Sequence, residues 1–184
     1  MSTMSRWIRY SLLIACMSVV TLAPVSIAEA ALSANLKLKG QKQGDIKGGV
    51  TKKGRENSIE VLAYSHEIVS PRDAASGLPT GKRQHKPFVI TKELDKSSPL
   101  LHSVLVNNEN LADWRLDIYQ PSAKGQEAVA YTIRLTNARI TSIETVTDDD
   151  GHVREVVSFT YQKIEWVWTD GGITAQDDWE TSKR

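Results

Sequence analysis

HEIVSPRDAASGLPTGKRQHKPFVITKELDKSSPLL, residues His66–Leu101, runs from a strand end through a long break into a second strand and a helix. A β-like run ends at Val69. Roughly sixteen residues without an apolar period follow, more than the ~12–15 that compact domains usually leave unstructured. Pro71, Gly77, Pro79 and Gly81 break this segment, and Arg72, Lys82, Arg83 and Lys86 make it cationic. Alternation resumes near Phe88. The stretch carries no catalytic set, so it reads as a projecting arm that docks on another surface rather than an active-site lid. Beyond it, Ser98 is expected to cap a helix with Pro99 in its first turn. Leu100, Leu101, Val104 and Leu105 share one face, and Asn107 and Asn108 end it. Under three turns long, this helix has to dock on a sheet to persist.

Outward from this stretch the chain reads as strands. Leu36 and Leu38 alternate with Lys37 and Lys39, and Ile59 and Val61 flank Glu60. Trp114, Leu116 and Ile118 alternate with Arg115, Asp117 and Tyr119, and Val129, Tyr131, Ile133 and Leu135 with Ala130, Thr132 and Arg134. Period two puts one set inward and the other outward. Several such runs at short spacing predict a mainly β chain: an antiparallel two-sheet barrel or sandwich with one short flanking α-helix. Near the end, Val157, Phe159 and Tyr161 share one parity and Ile164, Trp166 and Trp168 the other. Either a bulge at Gln162-Lys163 switches the face, or the chain leaves one sheet for a second. Trp166 and Trp168 are expected as core indoles, in preference to the lining of a sugar or ligand pocket.

At 184 residues the chain fits one domain, 31–184, behind a targeting segment, 1–30. Arg6 and Arg9 supply a positive end, Ser11 to Leu22 an apolar core, and Ala28-Glu29-Ala30 an A-x-A cleavage site. The apolar core falls short of the ~20 residues that span a bilayer, so stable membrane insertion is not expected. A lipoprotein reading of Leu13-Ile14-Ala15-Cys16 competes, but Arg9 lies too close and the apolar run continues past Cys16. Cys16 is the only cysteine, so a chain processed after Ala30 has none and gains nothing from disulfides. Processing removes two of 23 cations and one of 22 anions, leaving 21 of each. That balance argues against a general nucleic-acid binder.

Chemistry-bearing patterns are weak. Gly49-Val50-Thr51-Lys52-Lys53-Gly54 has phosphate-loop glycine spacing, but Arg55-Glu56 stands where Lys and a hydroxyl are needed. It reads as a solvated basic turn. His66, His85, His102 and His152 form no zinc-binding spacing. His66 and His85 bracket the long loop, where their expected task is hydrogen bonding at its base. Asp148-Asp149-Asp150-Gly151 lacks the distal bidentate Glu of a calcium loop and reads as a hairpin turn with Gly151 at positive φ. No G-x-S-x-G elbow is present. No cofactor and no metal are expected, and the chain is not read as an enzyme.

HEIVSPRDAASGLPTGKRQHKP, ITKELDKSSPLL, VNNENL and SFTYQKIEWVWTDGGITAQDDWE together resemble the Hcp (haemolysin-coregulated protein) family of type VI secretion. The resemblance runs from about Asn35 to Glu180, with the blocks in the family's order. It implies a barrel-like domain that forms homohexameric rings, which stack into the expelled tube and carry small effectors in the lumen. Spike and sheath components of that machine are the further partners it implies. Interface residues are expected at Pro71, Arg72, Lys82, Arg83 and His85 of the arm and at Asp177, Asp178 and Trp179 of the tail. Arg72, Lys82 and Arg83 are expected to meet Asp177, Asp178 or Glu180 of an adjoining ring. The alternative is an exported periplasmic ligand- or glycan-binding β-domain with Trp114, Trp166 and Trp168 as platforms; a periplasmic hydrolase ranks last. The N-terminal segment departs from the family's pattern. Met1, Met4 and Met17 are the only methionines, so the segment is expected to be translated. It predicts an extracellular protein that passes through the periplasm, whereas the family's route is cytoplasmic synthesis followed by type VI export.

Overall fold

In the computed structural model, which describes residues 33–122 and 125–179, the alternating runs become strands numbered here in chain order. The first four are β1 (Ala34–Gly40), β2 (Gly44–Ile46), β3 (Ile59–Val61) and β4 (Ala63–Ser65). Next come β5 (Ile68–Val69), β6 (Gln84–His85), β7 (Phe88–Glu93) and the helix α1 (Ser98–Val106). Then follow β8 (Leu111–Pro121), β9 (Glu127–Thr136), β10 (Arg139–Thr147), β11 (Val153–Thr160), β12 (Lys163–Trp168) and β13 (Ile173–Asp178). The targeting expectation on residues 1–30 lies outside the described residues, as does Glu180.

One sheet has the order β13-β12-β9-β8-β1-β2, with β3 beside the first half of β1. A second has the order β10-β11-β7-β4, and β5 and β6 form a separate ribbon. Each of these pairings is antiparallel. This is the two-sheet β architecture with one flanking helix that the alternation predicts. The parity switch resolves as a change of sheet: Val157 and Phe159 face inward from β11 in the smaller sheet, and Ile164 faces inward from β12 in the larger. Asp150-Gly151 turns β10 into β11, with Gly151 at φ 83°.

Trp114 clasps the two sheets. Its buried indole meets Phe88 of β7 edge-on at 4.9 Å and Phe159 of β11 edge-on at 5.6 Å. Such contacts add ~0.5–1.5 kcal/mol beyond the apolar area they bury. The smaller sheet has four strands and cannot cover the full width of the larger. One cross-strand row of the larger sheet shows the consequence: Val61, Ala34, Ile118, Tyr131, Trp168, Ile173. Val61 is fully buried, whereas Trp168 is 41% and Ile173 68% exposed. Trp168 therefore differs from the core role expected of it, and Trp166 is only partly buried. Trp114 sits in the core and Trp168 at the rim, so the three tryptophans form no common platform.

The helix starts one residue earlier than a Ser98 cap requires. Ser97 takes the cap position without a side-chain cap bond, while Ser98 begins the helix and turns its hydroxyl inward. That hydroxyl donates to Glu155 Oε2 at 2.6 Å and accepts from Lys92 Nζ at 2.9 Å. Lys92 and Glu155 pair at 2.8 Å with side chains 1% exposed, and Asp95 Oδ1 lies 3.1 Å from the same ammonium. Charge, helix start and two strands of the smaller sheet thus meet at one buried point, while Leu101 and Val104 bury the helix's apolar face.

The basic turn after β2 is solvated over Gly49–Gly54, as expected. Arg55 beside it is buried, its guanidinium 3.3 Å from the centre of the Tyr119 ring and 3.0 Å from Glu127. Gly48 allows this fold-over, because a Cβ there would lie 2.3 Å from the Ser58 carbonyl oxygen.

Removing Lys92 leaves the buried Glu155 carboxylate without its cation. Lys92→Met should cost about 3–5 kcal/mol in urea unfolding, and Lys92→Met with Glu155→Leu should recover most of that loss. Equal losses in the single and double variants would show that the ion pair itself is the stabilising unit.

Candidate assembly interface at the arm

The long break is an ordered hairpin. β4–β5 and β6–β7 form one ribbon with a bend, where the Lys86 amide donates to the Glu67 carbonyl at 3.0 Å. Beyond β5 and β6, the Thr80 amide donates to the Pro71 carbonyl at 3.0 Å and the Asp73 amide to the Leu78 carbonyl at 2.9 Å. The Asp73 carboxylate closes the tip, accepting from the Ser76 amide and hydroxyl, both at 2.7 Å. Arg72 donates to the Gly77 carbonyl at 3.1 Å. Pro71 and Pro79 read as strand breakers because they lack a donor, yet Pro71 contributes only its carbonyl here. That is why two short strands are invisible to periodicity. The arm's side chains are largely exposed, including Arg72, Lys82, Lys86 and, at the tip, Leu78 at 65%.

At its base the arm is tied to the rest of the domain. Arg83 donates two hydrogen bonds to the Asp177 carboxylate and a third to the Asp178 carbonyl at 3.1 Å. His85 Nε2 lies 2.8 Å from Asp177 Oδ2, and its Nδ1 lies 2.8 Å from the Tyr161 hydroxyl. That hydroxyl also lies 2.6 Å from His66 Nε2. Trp179 donates its indole N–H to the Tyr161 carbonyl at 2.6 Å and stacks on His85 with ring centres 6.5 Å apart.

Donor and acceptor roles follow from the carboxylate. With Asp177 ionised, His85 Nε2–H donates to it; a neutral His85 then accepts at Nδ1 from the Tyr161 hydroxyl, whose oxygen accepts from His66 Nε2–H. In that arrangement every bridging atom is satisfied. The Arg83 hydrogen bonds hold the Asp177 carboxyl below the usual carboxylate range despite partial burial, with His85 adding to the effect. Burial, with His85 adding, pushes His66 below the usual imidazole value. Burial and then the Asp177 charge push the Tyr161 phenol up, so it stays protonated as the bridge requires.

All eight residues named from sequence fall on the arm or at its foot. Pro71, Arg72 and Lys82 lie on the projecting part; Arg83, His85, Asp177, Asp178 and Trp179 gather at the base. The sequence reading put the Arg83–Asp177 pairing between copies, but the structure forms it within one chain. The physical reason is topological: β12 returns through a short turn to β13, which brings Asp177 beside Ile164 and under the arm. Tyr161, the centre of the network, was read only as part of a strand face. Its signal was present, since it is the last residue of its parity before the change of sheet.

A family model described as "Type VI secretion system effector, Hcp" matches residues 36–168. The chain is 37% identical over 167 residues to the "Major exported protein" of Pseudomonas aeruginosa, covering 82% of this chain and 97% of that one. Among solved structures, Hcp1 from E. coli EAEC 042 matches at 37% identity, TM-score 0.75, over 81% of this chain and 99% of its own. The secreted protein Hcp3 of P. aeruginosa matches at 34% identity, TM-score 0.67, over 79% of this chain and 99% of its own.

The base network predicts how the arm responds to loss of its carboxylate. Asp177→Asn should speed tryptic cleavage after Lys82 and Arg83 about tenfold, as a local opening that leaves the far-UV spectrum unchanged. Because Asp177 is depressed in the folded protein, its contribution is complete above about pH 4 and is lost as the pH falls through the folded value.

Proposed function

Since the chain belongs to the Hcp family of type VI secretion, we propose that it works as the self-assembling structural protein of the secreted tube, built from hexameric rings stacked through the arm. The observation that carries this reading is the arm itself. It is an ordered, cationic hairpin, anchored at its base within the chain and extended beyond the domain with its charged side chains outward. A heterologous contact repeated around an axis closes a ring, and a second one along the axis propagates a stack. Pro71, Arg72 and Lys82 are the contact residues toward the adjoining ring in this reading. Arg83, His85, Asp177, Asp178 and Trp179 set the arm's direction from below. Small effector proteins are the cargo of the lumen, with spike and sheath components at its end and flank.

Export is part of the same reading, as the name of the P. aeruginosa relative supports. Residues 1–30 then direct passage through the periplasm and are removed after Ala30.

Arg72→Glu combined with Lys82→Glu should shorten or abolish stacks in electron micrographs and sedimentation while circular dichroism stays unchanged. Undiminished stacks would remove the arm from the interface. For processing, Edman sequencing of protein recovered from the medium should begin at Ala31, with a native mass six times that of the processed chain. A sequence beginning at Met1 would overturn the targeting step.

A further inference from the structure

We propose that Tyr161 is the positioning residue of the arm, and that the His66–Tyr161–His85 bridge is a proton-operated latch that holds the arm near neutrality and releases it in acid. The consequence for stacking rests on the docking role proposed above; the latch itself does not.

The bridge has room for one extra proton and no more. With both rings neutral, His66 donates to the phenol oxygen and the phenol donates to His85. A first proton on His85 Nδ1 fits only if the His66 hydrogen moves from Nε2 to Nδ1: His85 then donates to the oxygen and the phenolic hydrogen turns to the freed His66 Nε2. A second proton makes both rings donors to one oxygen. The phenolic hydrogen then has no acceptor, and two charged imidazoles face each other across a single hydroxyl. A buried donor left without an acceptor is costly even before the repulsion is added.

Asp177 faces His85, but the neighbours described around His66 are aromatic and supply no carboxylate. From the arm come Arg83 and His85; from β13, Asp177 and Asp178; from β10, Arg139, which lines the same groove as Tyr161. Tyr64 of β4 stacks on Phe88 from one side while His66 stacks on it at 5.2 Å, and Trp166 of β12 lies 6.4 Å from His66. Glu67 and Lys86 sit at the bend, joined through their backbones. Two guanidinium groups already balance two carboxylates, so each proton on the pair adds net positive charge. His66, depressed in the folded protein, sets the sign: its contribution is complete above about pH 6.5 and is lost as the pH falls through its folded value.

The test is amide hydrogen exchange on the unassembled full chain from about pH 7.5 to about pH 5, corrected for the chemical exchange rate. Protection at Val69, Gln84 and Lys86 should fall about tenfold or more in the wild type while β8 stays protected. Tyr161→Phe should already lack that protection at neutral pH. His66→Gln keeps an N–H toward the phenol but cannot take a charge, so it should keep its neutral-pH protection in acid. Wild-type protection that ignores pH, or a His66→Gln variant as acid-labile as the wild type, overturns the latch. Electron microscopy of assembled material in acid separates the two ideas. Stacks that persist although the arm amides exchange freely would count against the docking role and leave the latch standing.

Discussion

A chain that leaves one sheet and enters another has to satisfy its backbone and aim its side chains at the crossing, and here Tyr161 does both. It follows the last residue of β11, and Gln162 then donates its amide to the Thr136 carbonyl beside β12. The Tyr161 carbonyl takes the Trp179 indole, which ties the end of β13 to the crossing. The hydroxyl takes both arm histidines. One residue therefore connects the smaller sheet, the free edge of the larger sheet and the arm. Its buried position requires this, since a buried phenol without partners would be costly.

The same economy explains why the arm's carboxylate comes from its own chain. β13 is an edge strand, and edge strands carry unpaired backbone groups that invite unwanted pairing. Folding the arm's base over Asp177 and Asp178 occupies the side chains at one end of that edge, whereas Ile173 at the other end remains exposed. In the proposed stack, the residues left to face a partner are the arm's outer cations. Their worth in recognition lies in steering and register more than in raw affinity, because exposed ion pairs contribute only ~0–1 kcal/mol each.

How far the sequence could be read depended on whether a residue's role is local. Alternation in Leu36–Leu38, Trp114–Ile118 and Ile133–Leu135 located strands and their inward faces, because period two is a property of the strand alone. The parity break at Gln162-Lys163 revealed the crossing and offered two forms of it. Trp168 misled, because its exposure depends on where the opposite sheet ends, which no residue near it encodes. Ser98 misled for a related reason. Its hydroxyl is a plausible cap until Lys92 and, 57 residues away, Glu155 offer buried partners. The arm was legible as a functional segment by length, breakers and charge, and the joint work of His66 and His85 at its foot could be read from their bracketing positions. What could not be read was the third member of that group, since Tyr161 is 76 residues from His85 and 95 from His66.

Order in the arm matters to what it can do once it meets another surface. Fixing one residue's backbone costs about 1–2 kcal/mol, so a free segment of this length would consume most of a modest interface's gain on docking. The Asp73 turn, the Arg72–Gly77 bond and the paired strands place that cost in folding. The histidine–tyrosine bridge then adds direction to order, because a stiff hairpin on a loose hinge would still sample many orientations. In the proposed stack, a hairpin ordered and aimed beforehand would give up little freedom at each repeat.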